Sequence, residues 1–487
     1  MLLEADWVLP ISGPPMERGA VLVVDGTIEA VGPAAALRAR HPGESVETFP
    51  GCALLPGLVN SHSHLEYSAF RGFTRARGFG SWMGRLLLAR RKLDADDFAA
   101  SALWGAYECA RSGVTSIADT AFEGEAVVRA ARAAGLRSRV YLEVFGLDDD
   151  RLPQTMARLE AGLARLQREC EGGGRDGCAG PGRGPKVEAG VSPHAPYTVS
   201  ARLYREVARF ARRAGLRVAT HVAESRAEVD LLIRGTSAIS QAYRAAHLWN
   251  GQKWSPPRSS PIRYVAAAGA LGRETLVIHA VQVDADDIAL LAMSEAAVAH
   301  CPRSNLRLRC GAAPAAEMMS VGVHVGLGTD SLASNENLDM FAEMRTALRV
   351  SVGRAASGAR PRASKAEGVT PDEPCVSAAL TPAAVLRMAT LEGARALGWD
   401  HMIGSLEAGK RADIIAVALR SPESVSARAR GSGPAQVDPV TELVGAATAA
   451  DVRMTMVEGE VVCRGSALPA EVERAFRKVC AKLAPEG

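Results

Sequence analysis

Short apolar runs alternate with longer stretches of helical periodicity through the middle of the chain. The runs are LPGLVNSH, VTSIADT, SRVYLEVF, KVEAGVSPH, LRVATHVAE, TLVIHAV, AAVAHCPRSN and VHVGLGTD, eight in all. Each is short, rich in Val, Ile, Leu and Ala, and bounded by polar or turn residues, as strands buried on both faces require. Helical patterns such as ADDFAASALWGAYECARSG and SARLYREVARFARRAG separate most of them. Eight β/α units over roughly 340 residues predict an α/β fold, a (β/α)8 TIM-like barrel with insertions. A seven-stranded or open parallel sheet is the alternative.

Both ends of the chain read differently. VLVVDGTIEAVG is a hairpin with Asp25-Gly26 as its turn, and GSLEAGKRADIIAVAL with DVRMTMVEGEVVCRG has the same character. The expected organisation is a small composite β-sandwich domain from residues 1–55 and 405–467, a catalytic barrel over 56–404, and a C-terminal helix over 468–487. Stretches 170–186, 356–374 and 420–436 are rich in Gly, Pro, Ser or Arg and read as mobile surface insertions. No internal repeat at a fixed period is present.

Composition narrows the classes. The chain has 487 residues, 47% hydrophobic and 23% charged, with a formal net charge of +3. So small a charge, from scattered arginines, argues against a nucleic-acid or membrane partner. Nine cysteines without a CxxC pair fit reduced thiols. Glu4 and Asp6 stand where a signal peptide needs a basic start, and no apolar run spans a bilayer. A soluble cytoplasmic protein is expected. Oligomeric state is not encoded legibly; a homodimer is the common default.

The chemistry gathers at the C-terminal ends of the eight runs, where barrels keep their active sites. His62 and His64 end the first, one residue apart, so that on a strand both imidazoles face one spot. Taken alone the pair also reads as polar turn residues between Ser61 and Ser63. His194 ends the fourth run, His221 the fifth with Glu224 three residues on, His279 the sixth, His300 the seventh and Asp330 the eighth. Each histidine alone fits a satisfied core position; together with Glu224 and Asp330 they form a constellation. His41, His247 and His401 lie in loop or helix contexts, and His324 begins a strand at the wrong barrel end. None of these four is assigned a function.

The pieces PGLVNSHSH, THVAES, VIHA, HCPRSN and LGTDS, with the tail GSLEAGKRADIIAV, resemble the amidohydrolase superfamily in its cytosine deaminase/chlorohydrolase branch. The resemblance covers nearly the whole chain. It implies that His62, His64, His221 and Asp330 bind one divalent metal ion, zinc or iron(II). It also implies that Glu224 shuttles protons, that His279 and Asp330 assist catalysis, and that His194 contacts the substrate. The donor types agree: three neutral imidazoles and a carboxylate suit zinc or ferrous iron and leave a position for water, whose pKa can fall to about 7. Binuclear relatives carry a carboxylated lysine at the end of the fourth strand. Here His194 holds that place and Lys186 precedes the strand, so a mononuclear site is expected.

Leu65-Glu66-Tyr67-Ser68, residues 249–265, SPHAPYTVS and GTDSLASNENLDM are similar to the aminofutalosine deaminase-like group. This implies loss of the 6-amino group of 6-amino-6-deoxyfutalosine, on a menaquinone route. Glu66 would meet donors on the ring or sugar, or else buttress Arg71 or the first loop. Arg71, Arg303 or Arg307 could meet a substrate carboxylate, and Ser304 and Asn305 are further candidate contacts. The alternative activities are deamination of S-adenosylhomocysteine, methylthioadenosine, adenosine, guanine or cytosine, and triazine dechlorination. A non-catalytic binding protein on the same scaffold is the remote third class; it should lack part of the constellation, and none is missing.

Overall fold

The computed structural model describes the chain except residues 74–77, 173–186, 246–254, 358–378, 420–437, 466 and 485–487. The three insertions expected at 170–186, 356–374 and 420–436 fall almost wholly outside the described residues, as do His247 and Lys186.

Strands at the N-terminus come first: β1 (Leu2–Val8), β2 (Met16–Glu17), β3 (Gly19–Val24), β4 (Thr27–Pro33) and β5 (Val46–Pro56). The barrel follows with β6 (Leu58–Ser63), β7 (Val114–Ala121), β8 (Arg137–Val144), β9 (Val187–Pro193), β10 (Val218–Val222), β11 (Thr275–His279), β12 (Ala297–His300) and β13 (Val325–Leu327). Three more strands, β14 (Ile414–Ala418), β15 (Val452–Val457) and β16 (Glu460–Arg464), return to the first group.

All eight expected central runs are strands, paired in chain order from β6 to β13, and every barrel pairing is parallel. Alternation sorts their side chains. Leu276 and Ile278 join the cluster inside the barrel with Val59, Ala118, Tyr141 and Ala299. Val277 points outward to the helices, with Ile117, Val140 and Val298. The intervening helices bury one stripe. In Ala201–Ala214, Leu203, Tyr204, Val207, Ala208 and Ala211 face the strands. Ser200 caps that helix by accepting from the N–H of Leu203, and Gly215 ends it at φ 64°.

The barrel closes between its first and last strands. The N–H of Asp330 donates to the His62 carbonyl at 3.0 Å. The Asn60 side chain spans the seam: its amide donates to Thr329 Oγ1 at 2.8 Å and its oxygen accepts the N–H of Thr329 at 3.0 Å. A Cβ on Gly328 would meet the His62 backbone nitrogen at 2.9 Å and the His62 Cβ at 2.8 Å, so glycine is what lets the strands approach.

The terminal strands form one sheet in the order β16-β15-β14-β5-β1-β3-β4, with β2 on β1. Its pairings are antiparallel except β1 with β5. Leu54, Ile414, Ala416, Met454 and Met456 form this unit's own core. Ala53, Leu55, Ile415 and Val417, the alternate residues, pack into the barrel's outer layer. The last helix, Ala470–Leu483, lies on helix Ala95–Arg111, where Phe476 stacks on Trp104 with centroids 4.2 Å apart. Among the described residues no helix is long and apolar enough to cross a membrane.

Candidate metal centre and active site

Parallel strands ending on one side bring their last residues to one spot. His62 Nε2 lies 3.6 Å from Asp330 Oδ1, and His64 Nε2 lies 3.8 Å from the same oxygen. His64 Nε2 and His221 Nε2 are 3.2 Å apart. All four residues are at least nine-tenths buried. The turns that aim them are strained: His279, Ala280, Ala223 and Asp330 have φ of 79°, 47°, 57° and 56°, in the left-handed region that non-glycine residues avoid.

Each ligand candidate has a supporting partner. Asp330 Oδ2 accepts from Ser304 Oγ at 2.5 Å and from Ser334 Oγ at 2.9 Å, and Oδ1 accepts the Ser331 N–H at 2.7 Å. His221 Nδ1 is 3.2 Å from the His194 carbonyl, and Thr120 Oγ1 lies 3.2 Å from His64 Nδ1. Behind the pair, Asp119 Oδ2 accepts from Ser63 Oγ and from the N–H of Leu65, fixing the turn that carries His64. Such supports orient ligands.

The electrostatics favour the ligand forms. Burial, then the charge of His62, lowers the His64 pKa to about 3. Burial and the neighbouring imidazoles hold His221 well below its usual range. For Asp330, burial would raise the pKa, but the His62 imidazole 3.6 Å away, with His279 and His64 beside it, outweighs burial and keeps the carboxyl far below its usual range. Neutral His64 and His221 beside an ionised Asp330 match the metal-binding protonation state. Among the described residues the buried Nε2 of His62 has no hydrogen-bond partner, and ligand atoms of His62, His64 and Asp330 lie within 4.8 Å of one another. An orphaned nitrogen aimed into a cluster of nitrogen and carboxylate donors fits a divalent cation.

A second cluster adjoins the first. Glu224, His279 and Asp330 also have ligand atoms within 4.8 Å of one another, and Glu224 Oε1 is 3.6 Å from His279 Nε2. Burial, then the charge of Asp330, pushes the Glu224 pKa well above the carboxylate range. Burial lowers His279 to about 3. The Asn305 amide lies 3.1 Å from His279 Nδ1. The Glu224 backbone is fixed from below: Glu228 accepts the N–H groups of Ala223 and Glu224.

Both clusters open onto a cavity of about 800 Å³. Its walls are aromatic and aliphatic, with Tyr67, Phe79, Trp82, Phe122, Phe145, Tyr197 and Tyr243 among the lining residues. His194 lines it, stacked on Phe145 at 4.6 Å, with Nδ1 held by Thr198 Oγ1 at 2.8 Å.

Several expected substrate contacts lie elsewhere. Glu66 is buried and its two oxygens accept the N–H groups of Phe122 and Glu123, so it supports the turn after β7 and does not line the cavity. Arg71 pairs with Glu108, away from the cavity. Arg303 binds the Asn337 carbonyl and side chain, and Arg307 pairs with Glu336. Ser304 and Asn305 act on Asp330 and His279 rather than on the cavity. His300 is buried, its two nitrogens have no hydrogen-bond partner among the described residues, and it does not line the cavity. His324 pairs with Glu392 at 3.0 Å, at the opposite end of the barrel. Glu143 and Arg90 are among the cavity residues that went unread in the sequence. Glu143 was findable, because it stands near the end of the third strand, under the same rule that selected the histidines.

A closed parallel barrel with imidazoles and carboxylates at its strand ends defines a metal-dependent hydrolase. The amidohydrolase family model matches residues 53–462, and an imidazolonepropionase-like composite domain of bacteria matches residues 19–43. A 5-methylthioadenosine/S-adenosylhomocysteine deaminase of Moorella thermoacetica is 33% identical over 99% of both chains. A 5′-deoxyadenosine deaminase of Methanothermobacter thermautotrophicus is 31% identical, over 100% of this chain and 98% of its own. The solved structure of an adenosine deaminase from Xanthomonas campestris with bound zinc aligns with TM-score 0.75 at 26% identity, over 99% of this chain and 98% of its own. The chain belongs to the amidohydrolase family, and it is a hydrolase that uses a divalent metal.

Proposed function

We propose that the protein deaminates a purine nucleoside, breaking the bond from the ring to its 6-amino group and releasing ammonia. The supporting observation is the Glu224–His279–Asp330 cluster set against the three-imidazole cluster at the base of one aromatic-walled cavity. The two curated relatives act on adenosine-type nucleosides by name and match almost end to end.

His62, His64, His221 and Asp330 would hold one divalent ion, zinc or iron(II). The ion would supply Lewis acidity and bring the pKa of water towards neutrality. Glu224, holding its proton near neutral pH, protonates a ring nitrogen, which makes the adjacent carbon electron-poor. His279 stays neutral and oriented by Asn305, and Asp330 stays ionised under Ser304 and Ser334 as the acceptor that orients the attacking water. His194, tethered by Thr198 through Nδ1, lines the cavity and presents its ring to the substrate. A proton carrier suits a departing amine; chloride needs none, which sets the triazine reading behind this one.

The 6-amino-6-deoxyfutalosine implied by the sequence, 5′-deoxyadenosine, methylthioadenosine and S-adenosylhomocysteine share an adenine-type amidine on a sugar and differ at the far end. That shared class is the proposed substrate. Purified protein with zinc or iron would be offered these, adenosine, guanine and cytosine, with ammonia measured. Release from at least one purine nucleoside is expected; release from none overturns the proposal.

A further inference from the structure

Glu143 is a buried carboxyl group in the substrate cavity, with one oxygen unpartnered among the described residues. It stands in β8 one residue before the strand ends, 9% exposed, and lines the same cavity as His64, His221 and Glu224. Its Oε1 is fully covered and, among the described residues, has no hydrogen-bond partner. Burial without a donor, then the charge of Glu66, pushes its pKa well above the carboxylate range; the charge of Arg90 opposes this, yet no ion pair joins Arg90 to it. A carboxylate taken from water without a replacement donor is costly, so a group so placed waits for a donor that the folded chain does not supply.

Its position narrows that donor. A Glu143 oxygen and one nitrogen each of His64 and His221 lie within 4.8 Å of one another. The reacting carbon must sit against these imidazoles, so Glu143 reaches a substituent on that carbon. Glu224 follows β10 and His279 ends β11, two and three strands along the barrel from β8, and they serve the ring nitrogen. The donor left for Glu143 is an N–H of the amino group itself.

We propose that Glu143 recognises the leaving amino group, accepting one of its hydrogens and so selecting 6-amino purines over isosteres with other leaving groups. The inference rests on the purine nucleoside reading above. Deamination forms the carbon–oxygen bond and breaks the carbon–nitrogen bond. Water supplies the oxygen and two hydrogens, one ending on the ring nitrogen and one on ammonia. Glu143 undergoes no net proton change; it holds the amine in place.

The test compares adenosine with 6-chloropurine riboside, whose leaving group has no hydrogen to donate, in wild type, Glu143→Leu and Glu143→Gln. Leucine should lower kcat/KM for adenosine by at least about tenfold and leave the chloride reaction within about twofold, with glutamine between. Binding of 1-deazaadenosine, which keeps the amino group and lacks the ring nitrogen to be protonated, should weaken in step. Equal loss on both substrates, no loss on either, or a fall in metal content per chain would each overturn the inference. Wild-type protein that releases neither ammonia nor chloride would instead overturn the deaminase reading beneath it.

Discussion

Glu228 holds Glu224 by the backbone: its Oε2 accepts the Glu224 N–H at 2.8 Å while its Oε1 accepts the Ala223 N–H at 2.9 Å. Ala223 is left-handed at φ 57°, so this carboxylate secures a strained turn that points the proton carrier at the cavity. Glu228→Gln can satisfy only one of the two N–H groups and leaves the other facing a donor. The expected result is a fall in kcat of about tenfold, with metal content unchanged and a lower melting temperature. Steady-state kinetics with metal analysis checks it; wild-type kcat would sink the supporting role.

Glu224→Gln removes the carried proton and keeps the shape. Turnover should fall by at least about a hundredfold while metal content stays at the wild-type level. Burial of an ionisable group is relieved, so the melting temperature should hold or rise. An active variant would refute the proton role.

Chelation should lower the melting temperature, because the ion binds the folded chain and not the unfolded one. Added zinc or iron(II) should restore both the transition and activity. Asp330→Asn should abolish the restoration. A chelated protein that melts as before would count against the four-ligand site.

Far from the site, Glu392 accepts from Arg387 at 3.0 Å and from Arg395 at 2.7 Å, and pairs with His324 at 3.0 Å. Burial opposes ionisation, but His324 and the arginines outweigh it and hold the pKa at about 2, below the ordinary 4.5. A folded-state value below the unfolded one stabilises the protein above about pH 4.5 and ceases to do so as pH falls towards 2. Wild type should therefore melt above Glu392→Gln at pH 7, and the gap should narrow below about pH 4.5 and close near pH 2. A gap independent of pH would remove the ion cluster as its cause.

Gly328→Ala would place a Cβ 2.9 Å from the His62 nitrogen, against backbone rather than a flexible side chain. The seam must open, carrying His62 away from Asp330. Weaker metal binding and reduced stability are expected together, read by metal titration and calorimetry.

What the sequence disclosed, and what it hid, follows from local geometry. Barrel strands are buried on both faces, so they leave contiguous apolar runs, and all eight were visible. The histidines were visible because a strand's end is a fixed address. Glu66 was drawn from the resemblance of its motif, which fixes no direction for the side chain: only a strand continued past His64 would keep positions 62, 64 and 66 on one side. The strand instead ends at Ser63, and a 3₁₀ turn over Leu65–Phe70 swings Glu66 beneath the next loop. The arginine partners could not be read either, because Glu108 and Glu336 become neighbours only in three dimensions. Glu143 lay within the reach of the strand-end rule and was passed over because that strand carries no histidine.

The seam between Asn60 and Thr329 joins residues 269 positions apart, and His62 and Asp330 sit beside it. As the ribosome delivers the chain, the first strand emerges with its imidazole pair in place and waits for the last. Every earlier strand can pair with its predecessor, but the carboxylate arrives only with the eighth. A polypeptide arrested before that strand has the histidines and lacks the closing edge. Catalytic competence therefore appears as a late, all-or-none event in biosynthesis, and it reports that the ring has closed.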